Sequence, residues 1–417
     1  MPDCANLPLA IRDVRLDLFR GLANWAIFLD HIPHEVLSSI TTKHYGFSDA
    51  ADLFVFISGY TAAAVFGRIM VEQGCVAAAA KLLKRASKLY AAHILVLVVY
   101  IATIGFVSRG LHDPDDLNQF NIAVFMSKPL WESSQALLLR YKPVNLDVLP
   151  LYILLLATFA PALWLMVRGP TLVLVGSMSL YFAARHFGWN LAASPIGLWY
   201  FNPFAWQLLF FLGAWIALGG AQAVQPIIRT RTAFWLAISY IIFAFVVTTA
   251  IRVPDLGNLI PHWLLQPFEP NDKTNLAPYR VLHLMAVAIV VTRLLPADSS
   301  ILQWRLLTPP IKCGQNSLQV FCIGIVLSFC AHAAIELSLN SLWVQILVGA
   351  TGVLLMTAGA YCWTWSKPWD RARRIAWADR VQHAGPFPGR IVAAFIGPAA
   401  VSGPPLTGQS TQRGGKS

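Results

Sequence analysis

The sequence predicts an all-α, polytopic integral membrane protein with about ten transmembrane helices and both termini in the cytoplasm. Three observations carry this expectation. Hydrophobic residues make up 57% of the 417-residue chain and charged residues only 12%, about half the charged share of an ordinary soluble domain. The apolar residues fall into runs near the ~20 residues that a helix needs to cross a bilayer. Lys and Arg are divided unevenly between alternate connections.

The runs occupy roughly 18–38, 50–72, 89–108, 147–168, 171–186, 202–219, 233–251, 279–296, 313–336 and 343–365. The fifth is the shortest. With the N-terminus inside, the inner connections hold about twice as many Lys and Arg as the outer ones, which is the bias that fixes orientation. Two outer connections, about 109–146 and 252–278, are long enough to cover a site. Residues 1–366 therefore read as one transmembrane domain. Residues 367–417 read as a cytoplasmic tail, basic at first and then rich in Pro, Gly, Ser and Thr, a composition that stays disordered.

The net charge of +11 does not indicate a nucleic-acid partner, because the basic residues are scattered among hydrophobic segments. The lipid bilayer is the implied partner. Cys4, Cys75, Cys313, Cys322, Cys330 and Cys362 show no CxxC spacing, so they read as small buried apolar residues and no metal site is expected. No basic region leads into a cleavable signal, and the first helix is expected to be retained. No internal repeat and no signal for an oligomeric state is evident.

The first segment carries the chemistry. In RLDLFRGLANWAIFLDH (15–31), Arg20 and His31 are eleven residues apart. On a helix they share a face and lie about 16 Å apart along the axis. Asn24 falls on the same face. Alone, His31 is as readily a packing residue as a functional one, and Arg20 alone can snorkel to the interface. Together they form a polar stripe that belongs against a bundle interior or cavity. The second segment opens with GFSDAADLFVFISGY (46–60). Asp49 reads as an N-cap or first-turn acid. Asp52 sits deeper and is the expected carboxylate partner of His31, which would fix its tautomer and raise its basicity. Gly59 marks a place where a neighbouring helix can approach closely. The third segment is entered through KLLKRASKLY (81–90). Lys81, Lys84, Arg85 and Lys88 either anchor the helix to the inner surface or receive the phosphates of a nucleotide-bearing donor.

The R-x10-H of Arg20 to His31 resembles the signature of the acyltransferase-3 membrane acyltransferases, and LFVFISGY (53–60) resembles that family's second-helix motif. RLDLFRGLANW, YGFSDAADLFVFISGYTAA, NLDVLPLY, NPFAWQLLFFLGAW, KTNLAPYRVLHLMA and CGQNSLQVF more narrowly resemble its OpgC branch, from about residue 12 to 366. That branch implies succinyl transfer onto osmoregulated periplasmic glucans in the bacterial inner membrane. The wider family tends towards an R-x-x-R pair at the third helix; here it reads Arg85-Ala-Ser-Lys88. No hydrolase domain of the kind some relatives carry follows, so the acceptor is expected to be handled by the membrane domain and its outer loops.

The resemblance implies catalytic roles for His31, Asp52 and Arg20, with donor binding by Arg20, Asn24, Arg85 and Lys88. Succinyl-CoA would be a co-substrate, and no permanently bound cofactor is expected. His31 would act as general base on a glucan hydroxyl or as an acyl relay. Asn145, Asp147, Trp199, Asn202 and Trp206 lie at outer helix ends, where aromatic faces and amides suit sugars; an interfacial belt with helix caps explains them equally well. Arg280 and His283 could hold the succinyl carboxylate, steady an oxyanion or cap a buried helix end. Gln315, Asn316 and Ser317 suit interhelical hydrogen bonding, and His332 suits packing. Two other readings stay open: acetyl or other acyl transfer to a different polysaccharide, and proton-coupled transport of a small solute.

Overall fold

The computed structural model describes residues 13–33, 35–111 and 120–383. The tail beyond His383, expected to be disordered, lies outside the described residues. The described chain is helical, and only isolated bridges occur at Tyr141–Ser194 and Ala192–Leu198. Its long helices are α1 (Val14–Asp30), α2 (Ala50–Gln73), α3 (Cys75–Leu111), α4 (Val148–Met166), α5 (Pro170–Phe187), α6 (Pro203–Trp215), α7 (Arg231–Arg252), α8 (Pro278–Leu294), α9 (Ser317–Leu337) and α10 (Leu342–His383).

Among the described residues, seven helical stretches are long and apolar enough to cross a membrane: α2, α3, α4, the stretch from α6 through Ile228, α7, α9 and α10 up to Ser366. The other three of the expected ten are α1, α5 and α8, of 17, 18 and 17 residues. Of these, α1 and α8 carry Arg20 and Arg280, so two of the helices with a weak apolar signal are ones that bring charge into the bundle.

Local chemistry sets the boundaries. Asp13 caps α1, its side chain accepting from the Arg15 N–H at 3.0 Å. The helix stops at Asp30 with His31 as C-cap, earlier than the expected end near residue 38, and two short 3-10 turns lead on to α2. There Asp49 accepts from the Ala51 N–H while Asp52 accepts from the Asp49 N–H at 2.8 Å. These reciprocal caps satisfy two donors that the first turn leaves open. Gly74, at φ +88°, reverses the chain directly into α3, which a side chain would resist. The basic stretch 81–88 is the first part of that one long helix. The expected ninth span is broken at Asn316, whose amide donates to the Lys312 carbonyl, the Ala360 carbonyl and the Thr364 hydroxyl. Asn316 thus ties α9 to α10, as its residue type suggested.

The centre is the crossing of α2 and α6. A Cβ on Gly59 would lie 1.9 Å from the Phe210 carbonyl oxygen, and one on Gly213 would lie 2.1 Å from that of Phe56. The two backbones touch where the sequence offers glycine on both sides. By contrast, α7 and α10 turn most of their apolar surface outward, as helices against lipid do.

Candidate functional site

Four charged side chains meet at the His31 end of the bundle. The guanidinium of Arg280, on the first turn of α8, donates from Nη2 to Asp52 Oδ2 at 2.5 Å and to Asp49 Oδ2 at 3.2 Å, and from Nη1 to Asn271 Oδ1 at 3.1 Å. Lys273 Nζ lies 2.6 Å from Asp49 Oδ2. Two carboxylates thus face two cations, and both Asp52 and Arg280 are almost wholly buried. The acids sit where the start of α2 favours negative charge. Burial would raise the Asp49 carboxyl, but Lys273 and Arg280 outweigh it and hold it below the usual carboxylate range. Burial likewise acts to lower Lys273, and the pull of Asp49 leaves it above its ordinary value.

This network changes two expectations. Asp52 is engaged by Arg280 and the Asp49 amide, where pairing with His31 was expected. Arg280 has its donors taken by three side chains, so it caps and neutralises the start of α2 and offers little to a substrate carboxylate. His283 is occupied at one ring nitrogen: its Nδ1 lies 2.7 Å from Ser48 Oγ and accepts from the Ser48 N–H at 3.3 Å, while its buried Nε2 makes no hydrogen bond. Gly46 gives it room, since a Cβ there would fall 2.3 Å from the ring. His332 is buried among Phe120 and Phe329.

His31 stands beside this network and differs from it. The residue is half-buried, and its Nδ1 is buried with no hydrogen-bond partner. The charges that act on it are those of Lys273, Lys43 and Asp49. Its carbonyl accepts from Asn145 Nδ2 at 3.2 Å, in a loop where Asn145 takes φ +75°, a conformation asparagine tolerates. The neighbouring Asp30 accepts from the Thr41 hydroxyl at 2.6 Å. The backbone at His31 is therefore held while Nδ1 of its ring makes no hydrogen bond.

At the other end of α1, Arg20 donates to Thr61 Oγ1 at 2.7 Å and to the Ile57 carbonyl at 3.4 Å. It lines a cavity of about 210 Å³ together with Arg85, Ser58, Tyr152 and Ser317. The cavity wall on α2 runs from Val65 to Phe54, about 16 Å of helix. Its far end is thus two residues from Asp52. The structure brings Arg20 and Arg85 to one space. Lys88, grouped with them on sequence, is exposed and not part of that lining. Asn24 is buried just behind it, donating to the Ser317 carbonyl at 3.4 Å, with Oδ1 unpaired.

The residues assigned to acceptor binding divide. Asn202 and Trp206 are buried and hold the 272–277 loop. Asn202 donates to Asn275 Oδ1 and the Trp189 carbonyl, and Trp206 Nε1 donates to the Lys273 carbonyl at 2.9 Å. They position Lys273 and present no open surface to a sugar. Asn145 and Asp147 flank the turn into α4, and Trp199 is buried beneath Lys142. Lys142 and Lys273 were not singled out on sequence. Lys273 opens the block KTNLAPYR and lies seven residues before Arg280, a spacing visible in the sequence but set in a loop, where helical periodicity says nothing.

A family model described as OpgC protein matches residues 12–368. The chain belongs to the OpgC family. Membership implies involvement in modifying osmoregulated periplasmic glucans, by an acyltransferase-type enzyme. No curated protein and no solved structure matches the chain. The match spans helices α1 to α9 and ends within α10, so the charge network, His31 and the arginine-lined cavity all fall inside it.

Proposed function

We propose that this protein is an inner-membrane O-acyltransferase of the acyltransferase-3 type, moving a succinyl group from cytoplasmic succinyl-CoA to hydroxyls of periplasmic glucans. The observation that carries the proposal is the pairing of His31, with an unpartnered ring nitrogen, and a two-arginine cavity about three helical turns below it. Both termini are cytoplasmic in this reading, which puts Arg20 and Arg85 on the donor side and His31 on the acceptor side.

Arg85, exposed at the mouth, meets the donor's phosphates, and Arg20 meets the donor within the cavity. The cavity is too small for the nucleotide and suits an extended pantetheine arm, which spans a distance of this order. The thioester is thereby presented towards His31. A glucan hydroxyl has a pKa far above neutral, so it needs its proton removed as it attacks. His31 takes that proton, the new ester C–O bond forms, the thioester C–S bond breaks, and the CoA thiolate leaves towards the donor side. A general base of this kind contributes about 10²–10⁴ in rate. The closed Asp49–Lys273–Arg280–Asp52 group fixes the helix ends around the site and adds no net charge.

The test is mass spectrometry of periplasmic glucans from cells lacking the protein, supplied with wild type or His31→Ala at matched membrane levels. Succinyl groups restored by wild type and lost with the variant are expected. Restoration by both refutes the role of His31. Acetyl or another acyl group on a different polysaccharide would replace donor and acceptor. Solute uptake without acyl-CoA consumption would replace the enzyme with a transporter.

A further inference from the structure

Three buried polar side chains from three elements lie together with none of their hydrogen-bonding capacity used. Lys142, in the loop before α4, is 8% exposed. Its Nζ lies 3.6 Å from the centroid of the Trp199 ring and 3.8 Å from Asp147 Oδ1, and it makes no hydrogen bond. An ammonium carries three donors, and Asp147 lies beyond hydrogen-bond reach. His93 of α3 is fully buried with neither ring nitrogen bonded, and Lys142 is the charge that acts on it. The indole Nε1 of Trp199 is buried and unpartnered as well. Leaving a buried donor unmet costs about 1–3 kcal/mol, and more for a charged one.

The main chain at Lys142 is firmly set. Tyr141 bridges to Ser194, and the Lys142 carbonyl accepts from Asn121 Nδ2 at 3.3 Å. Three residues on, Asn145 bonds the carbonyl of His31. Arg280 and Lys273 are already neutralised by Asp52 and Asp49. Lys142 keeps its donors.

We infer that Lys142, seated on Trp199 beside His93, binds the free carboxylate of a dicarboxylic acyl group while its thioester end is presented to His31. This rests on the acyl transfer proposed above and names the residue that selects a charged acyl chain over a neutral one. The ammonium gives the carboxylate charge-assisted hydrogen bonds. A butyryl group has the same chain length and ends in a methyl, which would leave Lys142 unmet.

The full-length protein in lipid nanodiscs is assayed with succinyl-CoA and with butyryl-CoA, for transfer to a glucan and, separately, for thermal stabilisation by each thioester. Wild type is expected to favour succinyl in both. Lys142→Met is expected to lower the succinyl-to-butyryl ratio about tenfold or more while leaving butyryl transfer in place, and Lys142→Arg to retain part of the preference. Equal losses for both thioesters would make Lys142 structural, satisfied by water, and overturn the inference. Equal use of both thioesters by wild type would overturn it while leaving acyl transfer standing. Should wild type transfer and bind neither, the acyl-transfer reading fails first and this one with it.

Discussion

Replacing His31 with glutamine separates catalysis from folding, because the structure gives its imidazole little structural work. The Nδ1 has no hydrogen bond to lose. The bond that does hold this turn, from Asn145 Nδ2, goes to the main-chain carbonyl and survives any side-chain change. Folding stability should therefore change by no more than about 1 kcal/mol, as for substitutions away from a network. Turnover should fall about 10²–10⁴-fold if His31 is the general base, a rise of roughly 3–5 kcal/mol in the barrier. The assay is succinyl transfer per folded protein in membranes, alongside thermal unfolding in detergent. Added imidazole should restore part of the activity of His31→Gly. A His31→Gln variant that keeps most of its turnover, or loses stability in proportion to activity, would refute the reasoning.

Arg280→Met should do the opposite, destabilising the fold by about 3–5 kcal/mol, because it strands the buried Asp52 carboxylate while Asp49 keeps Lys273; adding Asp52→Asn should recover part of that in thermal unfolding. Gly59→Ala should abolish the monodisperse folded protein seen by size exclusion, since its Cβ would meet the Phe210 carbonyl at 1.9 Å and main chain cannot move aside cheaply. Arg85→Ala should raise the KM for acyl-CoA about tenfold with little effect on kcat, while Lys88→Ala leaves both unchanged. Burial lowers Lys142 to about 8, against the smaller opposing pull of Asp147, and His93 on α3 faces it too. Between pH 8 and 10.5 the folded chain has released this proton and the unfolded chain has not. Stability should therefore rise with pH across that window by up to about 3 kcal/mol, and Lys142→Met should remove the rise.

What the sequence made legible was local or followed one helix. Asp49 was readable as a first-turn acid because capping needs only neighbouring residues. Gly59 was readable as a point of close approach, and Asn316 as interhelical glue, because each residue type has few other uses in a membrane helix. Arg20 and Arg85, grouped on sequence with Lys88, line one cavity, and Lys88 does not. The partner of Asp52 was not legible: Arg280 is 228 residues away, and helical periodicity tells which residues share a face without telling which faces meet. His31 looked like the natural partner because it was near in sequence. Asn202 and Trp206 looked like a sugar platform because an aromatic at a helix end serves a platform and a loop anchor equally well. Only their bonds to Trp189, Lys273 and Asn275 decide between the two.

The contrast between satisfied and unsatisfied polar groups has a physical consequence for how the site works. Asp49, Asp52, Lys273 and Arg280 close on one another, and a balanced, fully bonded buried group is stiff, because any movement exposes an unpaired charge to low dielectric. It clamps the start of α2 to the start of α8 and to the 272–277 loop. The main chain at His31 and Lys142 is held by Asn145 and Asn121, while His31 Nδ1 and Lys142 Nζ make no hydrogen bond and keep bonding capacity. A site built this way needs little rearrangement to bind, since the ordering of the backbone is complete before the substrate arrives. Substrate contacts then replace unmet donors and displace no existing bond. On the acyl transfer proposed above, a charged acyl donor and a hydroxyl acceptor would supply partners to the buried histidine, lysine and indole groups whose burial alone is unfavourable.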